Sequence, residues 1–235
     1  EKNAKKCIYK GKKVSNFGKC ASFSFYFGHH MSTIEGGMVC TNDRKIYEMA
    51  MMLRSHGMVR EANNGAFEKK MIKKYPKLSP KFIFLYPAFN FRNNEIGAVI
   101  GLNQLNSLDR NNKIRQRNFK LFLKLIDRNK YKGDFLIDGS CNYAFPLILK
   151  KSNFKFRKIL EDTLNKNRIE FRRGSAGGGN QLRQPYLRPY LKNTNLSNFA
   201  QVDHIHFFGY YIGNYPYLSE NKIRKLVKIL NSINI

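Results

Sequence analysis

The sequence predicts an α/β protein of two lobes joined by a helix, and three observations carry that expectation. An apolar, aromatic-dense run from Ala21 to Phe27 reads as a strand, strand and helix patterning alternate along the chain, and the last helix bears one clean apolar stripe. Hydrophobic residues are 42% of the 235, enough for a real core and too many for a disordered chain.

Lys10-Gly11-Lys12-Lys13 reads as a turn. Ala21 to Phe27 follows, too evenly apolar to be half exposed, and so predicts a central strand. Gly28 to Gly37 is a loop and Met38 to Thr41 a short strand. Asn42-Asp43 then opens a helix whose apolar positions Ile46, Met49, Ala50 and Leu53 repeat at helical spacing, with His56-Gly57 as its stop. Residues 58 to 89 show little periodicity and read as a long surface excursion.

From Asn94 a helix carries Ile96, Val99, Ile100 and Leu105, and a second one, roughly Asn112 to Asn129, carries Ile114, Phe119, Phe122, Leu125 and Ile126. The second connects the lobes, expected at residues 1–115 and 116–235. Past Lys132-Gly133-Asp134 come a strand (Tyr143 to Leu149), a helix (Phe156 to Leu164), a strand (Ile169 to Phe171) and a glycine-rich loop (Gly174 to Pro185). The terminal helix has Ser219 as N-cap, Glu220 at the positive end of its dipole, and Ile223, Leu226, Val227 and Leu230 as its buried stripe.

Composition excludes several function classes. The apolar runs are far shorter than the roughly 20 residues that cross a bilayer, and Glu1-Lys2-Asn3-Ala4-Lys5-Lys6 is not a secretory signal. If residue 1 is the true start, a cytoplasmic protein away from membranes is expected. Cys7, Cys20, Cys40 and Cys141 are scattered without a C-x-x-C pair, which predicts reduced, mostly buried thiols and no zinc site. His204 and His206, alternating on an expected strand, could share a face as a metal pair, but with no third ligand in view packing or substrate contact is the better reading and no metal is expected.

The formal net charge of +27 invites a nucleic-acid reading, yet the lysine excess comes with Asn, Ile, Tyr and Phe, whose codons are all rich in A and T. The basic residues are also spread over the whole chain. That is a solvated surface rather than a specific nucleic-acid site, although attraction to anionic ligands follows from it.

The chemistry is carried by Ser22-Phe23-Ser24-Phe25-Tyr26-Phe27-Gly28-His29-His30-Met31-Ser32-Thr33-Ile34-Glu35-Gly36-Gly37. This stretch resembles the cofactor loop of the DegT/DnrJ/EryC1/StrS family of sugar aminotransferases, in which a lysine stands five residues after the second serine, ahead of an acidic-Gly-Gly turn. Here that position is His29. The resemblance continues through Leu53-Arg54-Ser55-His56-Gly57, Pro87-Ala88-Phe89-Asn90-Phe91-Arg92, the Gly97 to Leu105 helix, Arg183-Gln184-Pro185-Tyr186 and Ile212-Gly213-Asn214-Tyr215-Pro216. It implies the PLP-dependent transferase fold type I (aspartate aminotransferase-like): an N-terminally truncated large domain plus a C-terminal α+β small domain.

His29-His30 narrows the resemblance to the branch of 3-dehydratases acting on nucleotide-linked 4-keto-6-deoxy sugars in surface-glycan (lipopolysaccharide) biosynthesis. An imidazole cannot form the Schiff base that a lysine amine forms, so pyridoxal 5'-phosphate or pyridoxamine 5'-phosphate would be held by non-covalent contacts alone. A group with an unperturbed pKa of roughly 6.5 suits proton transfer, and His29 is expected as the acid/base that assists loss of the sugar 3-hydroxyl.

Adjacent residues of an extended chain point to opposite sides, so only one of the histidine pair faces the cofactor, and His29 is taken over His30. By resemblance, Ser24 binds the cofactor phosphate, Asn90 reaches the same phosphate from a neighbouring subunit, and Arg92 meets the anionic groups of the substrate. Taken singly, Ser24 reads as a satisfied core hydroxyl, and Asn90 and Arg92 as ordinary loop residues. The shared site implies a homodimer, and the scattered cysteines favour glutamate over an iron-sulfur cluster for regenerating the aminated cofactor.

Members of this kind are longer, with a segment ahead of residue 1. Lys2 falls near the position of an aspartate that would hold the pyridine nitrogen, and a lysine there could not keep that nitrogen protonated. A non-catalytic remnant that binds nucleotide sugar or a missing half is therefore a second expectation, and an ordinary aminotransferase a remoter one.

Overall fold

A computed structural model describes residues 8–9, 12–13, 16–137, 139–174, 178–191 and 194–234. Lys2, Cys7 and the Lys10-Gly11 part of the expected turn lie outside the described residues. The chain forms two compact units, Glu1–Asp109 and Arg110–Ile235.

In the first unit, β1 (Ile8–Tyr9) pairs antiparallel with β2 (Lys12–Lys13), and β3 (Cys20–Ser24) with β4 (Gly37–Thr41). The β3–β4 hairpin corrects the expectation of a central strand. Among the described residues β3 pairs with β4 alone, it alternates between exposed and half-buried positions, and it ends at Ser24, leaving Tyr26 and Phe27 exposed beyond it. The apolar run is broken because Tyr26 to Gly28 leave the hairpin to make a turn, Phe25 being the last residue bonded across it. Cys20 and Cys40 sit on this open hairpin and are exposed and Cys141 is only half-buried, so the thiols among the described residues are not mostly buried.

α1 (Arg44–Leu53) begins where Asp43 Oδ1 accepts from the Lys45 and Ile46 amides at 2.9 and 3.3 Å. It stops at Leu53, earlier than His56-Gly57 suggested, and those two residues instead form a left-handed turn with φ of 60° and 73°. Glycine is required at 57, where a Cβ would stand 2.1 Å from the Tyr86 carbonyl oxygen.

The stretch expected to be a bare excursion holds α2 (Gly65–Lys74), capped by Asn64, and a small core in which Val59, Met71 and Ile83 are buried. α3 (Glu95–Leu125) is one helix where two were expected. No glycine or proline interrupts it after Gly101, and nothing else in that stretch stops a helix. Among the described residues no helix is long and apolar enough to cross a membrane.

The second unit is a three-stranded antiparallel sheet in the order β5-β7-β6, with β5 Ala144–Ile148, β6 Arg172–Arg173 and β7 Gly209–Gly213. α4 (Phe154–Lys166), α5 (Ala200–Phe208) and α6 (Glu220–Asn231) complete it. Leu160, Leu164, Ile223 and Leu230 are fully buried, and Phe122 stacks on Phe145 at 4.6 Å. Ser219 caps α6 as the sequence predicts, accepting from the Lys222 amide. β6 begins one residue beyond the expected Ile169 to Phe171 strand.

Burial pushes up the Tyr131 hydroxyl, which donates to the Leu230 carbonyl, and the Tyr210 hydroxyl, which donates to Glu161 at 2.7 Å. His204 and His206 lie on α5, not on a strand. Their alternation is accidental, because the helix from Ala200 to Phe208 turns the two rings to different partners. His204 Nε2 is 2.6 Å from the Leu149 carbonyl oxygen, and His206 Nδ1 accepts from the Asn180 amide at 3.1 Å. Among the described residues no three of His, Cys, Asp and Glu gather as a metal site.

Candidate functional site

His29 rides on a loop cinched at its base. The Phe25 amide donates to Gly36 O at 2.8 Å, and the Thr33 amide donates to Phe25 O at 2.9 Å. Thr33 is buried, its hydroxyl donates to Glu35 O, and α3 presses on it through Gly97 and Gly101, where a Cβ would come within 3.8 and 3.2 Å of the threonine side chain. Between these ties the chain bulges, with the His29 amide donating to Tyr26 O at 3.0 Å. The half-buried His29 ring meets Tyr26 edge-on, the centroids 6.4 Å apart. Ser24, exposed at the last position of β3, accepts weakly from the Tyr26 amide at 3.4 Å.

A second constellation surrounds a cavity lined by His56, Met58, Arg60, Phe82, Phe84, Asn90 and Arg92. It is built where the segment after α1 meets the chain before α3. The His56 amide donates to Phe89 O at 2.7 Å, the Phe91 amide donates to Arg54 O at 3.1 Å, and Ser55 bridges Asn90.

Arg92 donates from Nε to Ser55 Oγ and from Nη2 to Glu61 Oε1, both at 3.1 Å. Arg60 donates to the same Glu61 oxygen at 3.3 Å and to Lys81 O at 3.2 Å, and its guanidinium lies over the Phe82 ring at 5.3 Å. Two guanidinium groups thus share one carboxylate, which leaves the cavity positive. With exposed Phe82 and Phe84 at its edge, it suits a ligand carrying an anionic group and a flat ring.

The structure therefore sorts the expected site residues into two places. Ser24 and His29 belong to the hairpin and its loop, and Asn90 and Arg92 to the cavity. The sequence marks His56 only as part of the Leu53 to Gly57 stretch of the resemblance, and it marks none of Arg60, Glu61, Phe82 and Phe84. His56-Gly57 reads as a helix stop, and no local pattern announces that Arg60 and Arg92 converge on Glu61.

In the second unit, Arg183-Gln184-Pro185-Tyr186 is held to α5. Arg183 makes two bonds to Asp203, and the buried Asn180 donates to Asp203 Oδ1 at 2.7 Å while its own amide reaches His206. Gly179 stands where a Cβ would meet His206 Nδ1 at 2.5 Å, with φ of 85°.

The profile of the DegT/DnrJ/EryC1/StrS aminotransferase family matches residues 3–230. The chain is 28% identical over 225 residues to the GDP-4-keto-6-deoxy-D-mannose 3-dehydratase of Escherichia coli O55:H7, an alignment covering 94% of this chain and 57% of that protein. It is 30% identical over 164 residues to the UDP-4-amino-4,6-dideoxy-N-acetyl-beta-L-altrosamine transaminase of Helicobacter pylori, covering 68% of this chain and 40% of that one. Among solved structures it superposes on GDP-4-keto-6-deoxymannose-3-dehydratase with a trapped PLP-glutamate geminal diamine. There the TM-score is 0.77 and the identity 26%, with 95% of this chain and 57% of that one covered. The chain thus spans little more than half the length of the 3-dehydratase it matches.

Proposed function

This chain belongs to the DegT/DnrJ/EryC1/StrS aminotransferase family, and from that membership we propose that it is the part of a pyridoxamine phosphate- or pyridoxal phosphate-dependent dehydratase that supplies the acid/base group. The substrate is a nucleotide-linked 4-keto-6-deoxyhexose, from which the 3-hydroxyl leaves as water. The observation that carries the reading is His29, an imidazole at the loop position where the family's aminotransferases place the cofactor lysine. The 3-dehydratase relatives named above support the same branch.

The donor set suits the cofactor. Ser24 offers a hydroxyl and Asn90 an amide for a phosphate, and neither carries a charge that would repel it. When bound, the cofactor supplies an electron sink for the sugar carbons. His29, held by the hydrogen bond from its amide to Tyr26 O and the edge contact with the Tyr26 ring, would take a proton on its imidazole and give it to the departing 3-hydroxyl, which leaves as water. Arg92 and Arg60 attract the anionic part of the substrate to the cavity. Because Ser24 and His29 stand in one constellation and Asn90 in the other, a homodimer in which Asn90 completes the partner's phosphate site is part of the proposal. Glutamate is the proposed amino donor, and surface-glycan synthesis the destination of the product.

A second reading is favoured by the open apolar surface of the first unit. Phe27, Ile96 and Val99 are 78%, 74% and 67% exposed. Under this reading it is a non-catalytic member that binds nucleotide sugar or a complementary polypeptide.

One experiment separates the two. Incubated with pyridoxamine phosphate and GDP-4-keto-6-deoxymannose, the chain is expected to give a 3-deoxy product that disappears in His29→Asn. His29→Lys, treated with pyridoxal phosphate and borohydride, is expected to acquire a covalent adduct at position 29. A lysine variant that takes up no adduct would put residue 29 away from any cofactor and end the dehydratase reading.

A further inference from the structure

The anionic-ligand reading of the cavity is the premise of one further step. We infer that Ser55 and Glu61 are positioning residues that fix the plane of the Arg92 guanidinium, so that its free edge is presented to the anionic group of the ligand.

Ser55 is fully buried two residues after the end of α1. Its amide donates to Met52 O at 2.9 Å, its backbone bridges Asn90, and its hydroxyl is left to accept from Arg92 Nε. Glu61, in the turn Val59–Ala62, holds Nη2 at 3.1 Å. A guanidinium has five donors in one rigid plane, and two anchored donors leave three, those of Nη1 and the second hydrogen of Nη2. These are the donors that recognise a phosphate or carboxylate side by side.

The bland alternative is a surface ion pair. Arg92 is half exposed, and such pairs contribute little to stability. Two features set this one apart. One anchor is a buried neutral hydroxyl, which adds direction without charge, and the other carboxylate is shared with Arg60, so neither guanidinium is fully neutralised. Arg60 has its own ties to Lys81 O and the Phe82 ring. Loss of Ser55 therefore loosens Arg92 and leaves the charge of the cavity unchanged.

The test is calorimetric titration of the whole chain with GDP at fixed salt, using Ser55→Ala, Arg92→Ala and the double variant. The expected result is binding by the parent chain, weakened about tenfold by Arg92→Ala and about three- to fivefold by Ser55→Ala. The Ser55 change is expected to cost nothing further once Arg92 is gone. Ser55→Cys, similar in size but a far weaker acceptor, is expected to weaken binding only while Arg92 is present, and this variant decides the matter if Ser55→Ala fails to fold. Equal binding by Ser55→Ala and the parent, or the same loss with and without Arg92, would overturn the positioning role while leaving the cavity as an anion site. A parent chain that binds no GDP would overturn the cavity reading and the inference together.

Discussion

Arg183 lays two parallel hydrogen bonds on the Asp203 carboxylate, from Nε to Oδ1 at 2.7 Å and from Nη2 to Oδ2 at 2.6 Å. Side-by-side pairing of this kind is the strongest geometry available to an ion pair, and here it ties a loop segment to α5. The hydrogen bonds from Arg183, then that from Asn180, hold the Asp203 carboxyl at about 2, below its ordinary 3.8.

A carboxyl whose pKa is depressed by folding stabilises the folded state above its unfolded pKa, and that contribution disappears as pH falls toward the folded value. Asp203→Asn should therefore lower stability by about 1 kcal/mol near neutral pH, the pair being partly open to solvent. Urea unfolding of the two proteins should give a constant difference above about pH 5 that shrinks between pH 3.8 and about 2. A difference that grows on acidification would contradict the assignment.

Phe122 and Phe145 stack with planes 9° apart in the core of the second unit, and both are almost fully buried. Truncating such a ring removes its transfer energy and leaves a cavity, so Phe122→Ala should destabilise by about 3–5 kcal/mol. Denaturant melts followed by circular dichroism check this, and a loss below about 1 kcal/mol would mean that the core closes over the gap.

Gly57 connects fold and cavity. Replacing it with alanine strains a left-handed residue and drives a methyl carbon into the Tyr86 carbonyl, so the turn carrying His56 must shift. Gly57→Ala is expected to cost about 2 kcal/mol or more and to weaken GDP binding, whereas Gly65→Ala, with open space around the new carbon, should leave both nearly unchanged. Paired melts and titrations of the two variants decide it.

What the sequence revealed follows from how local each signal is. α6 was legible to its cap because Ser219 and the Ile223 to Leu230 stripe lie within one helix. α2 was not, because lysines crowd its apolar positions and the partner of Met71 is Ile83, beyond the helix itself. The β3 run misled for the opposite reason: its composition suits a buried strand, but exposure is set by what pairs with it, and only β4 does among the described residues. His29 could be read because a substituted residue inside a dense local motif stands out. The cavity could not, since Ser55, Arg60, Glu61, Phe82 and Arg92 are brought together by folding over nearly forty residues.

The open apolar surface of the first unit supplies the last prediction. Gly97 and Gly101 turn one side of α3 to Thr33, and helical spacing then puts Ile96, Val99 and Leu102 on the other side, where they are 74%, 67% and 65% exposed. A single exposed apolar side chain needs no explanation, but three on one helix face mark a surface prone to association. The chain alone should bind a hydrophobic dye and associate as its concentration rises. Val99→Glu with Leu102→Lys should suppress both, and because neither side chain is buried, the melting of the second unit should move by no more than a few degrees. Dye fluorescence and sedimentation velocity of the two proteins provide the check, and equal dye binding by both would mean that this face is not the adhesive one.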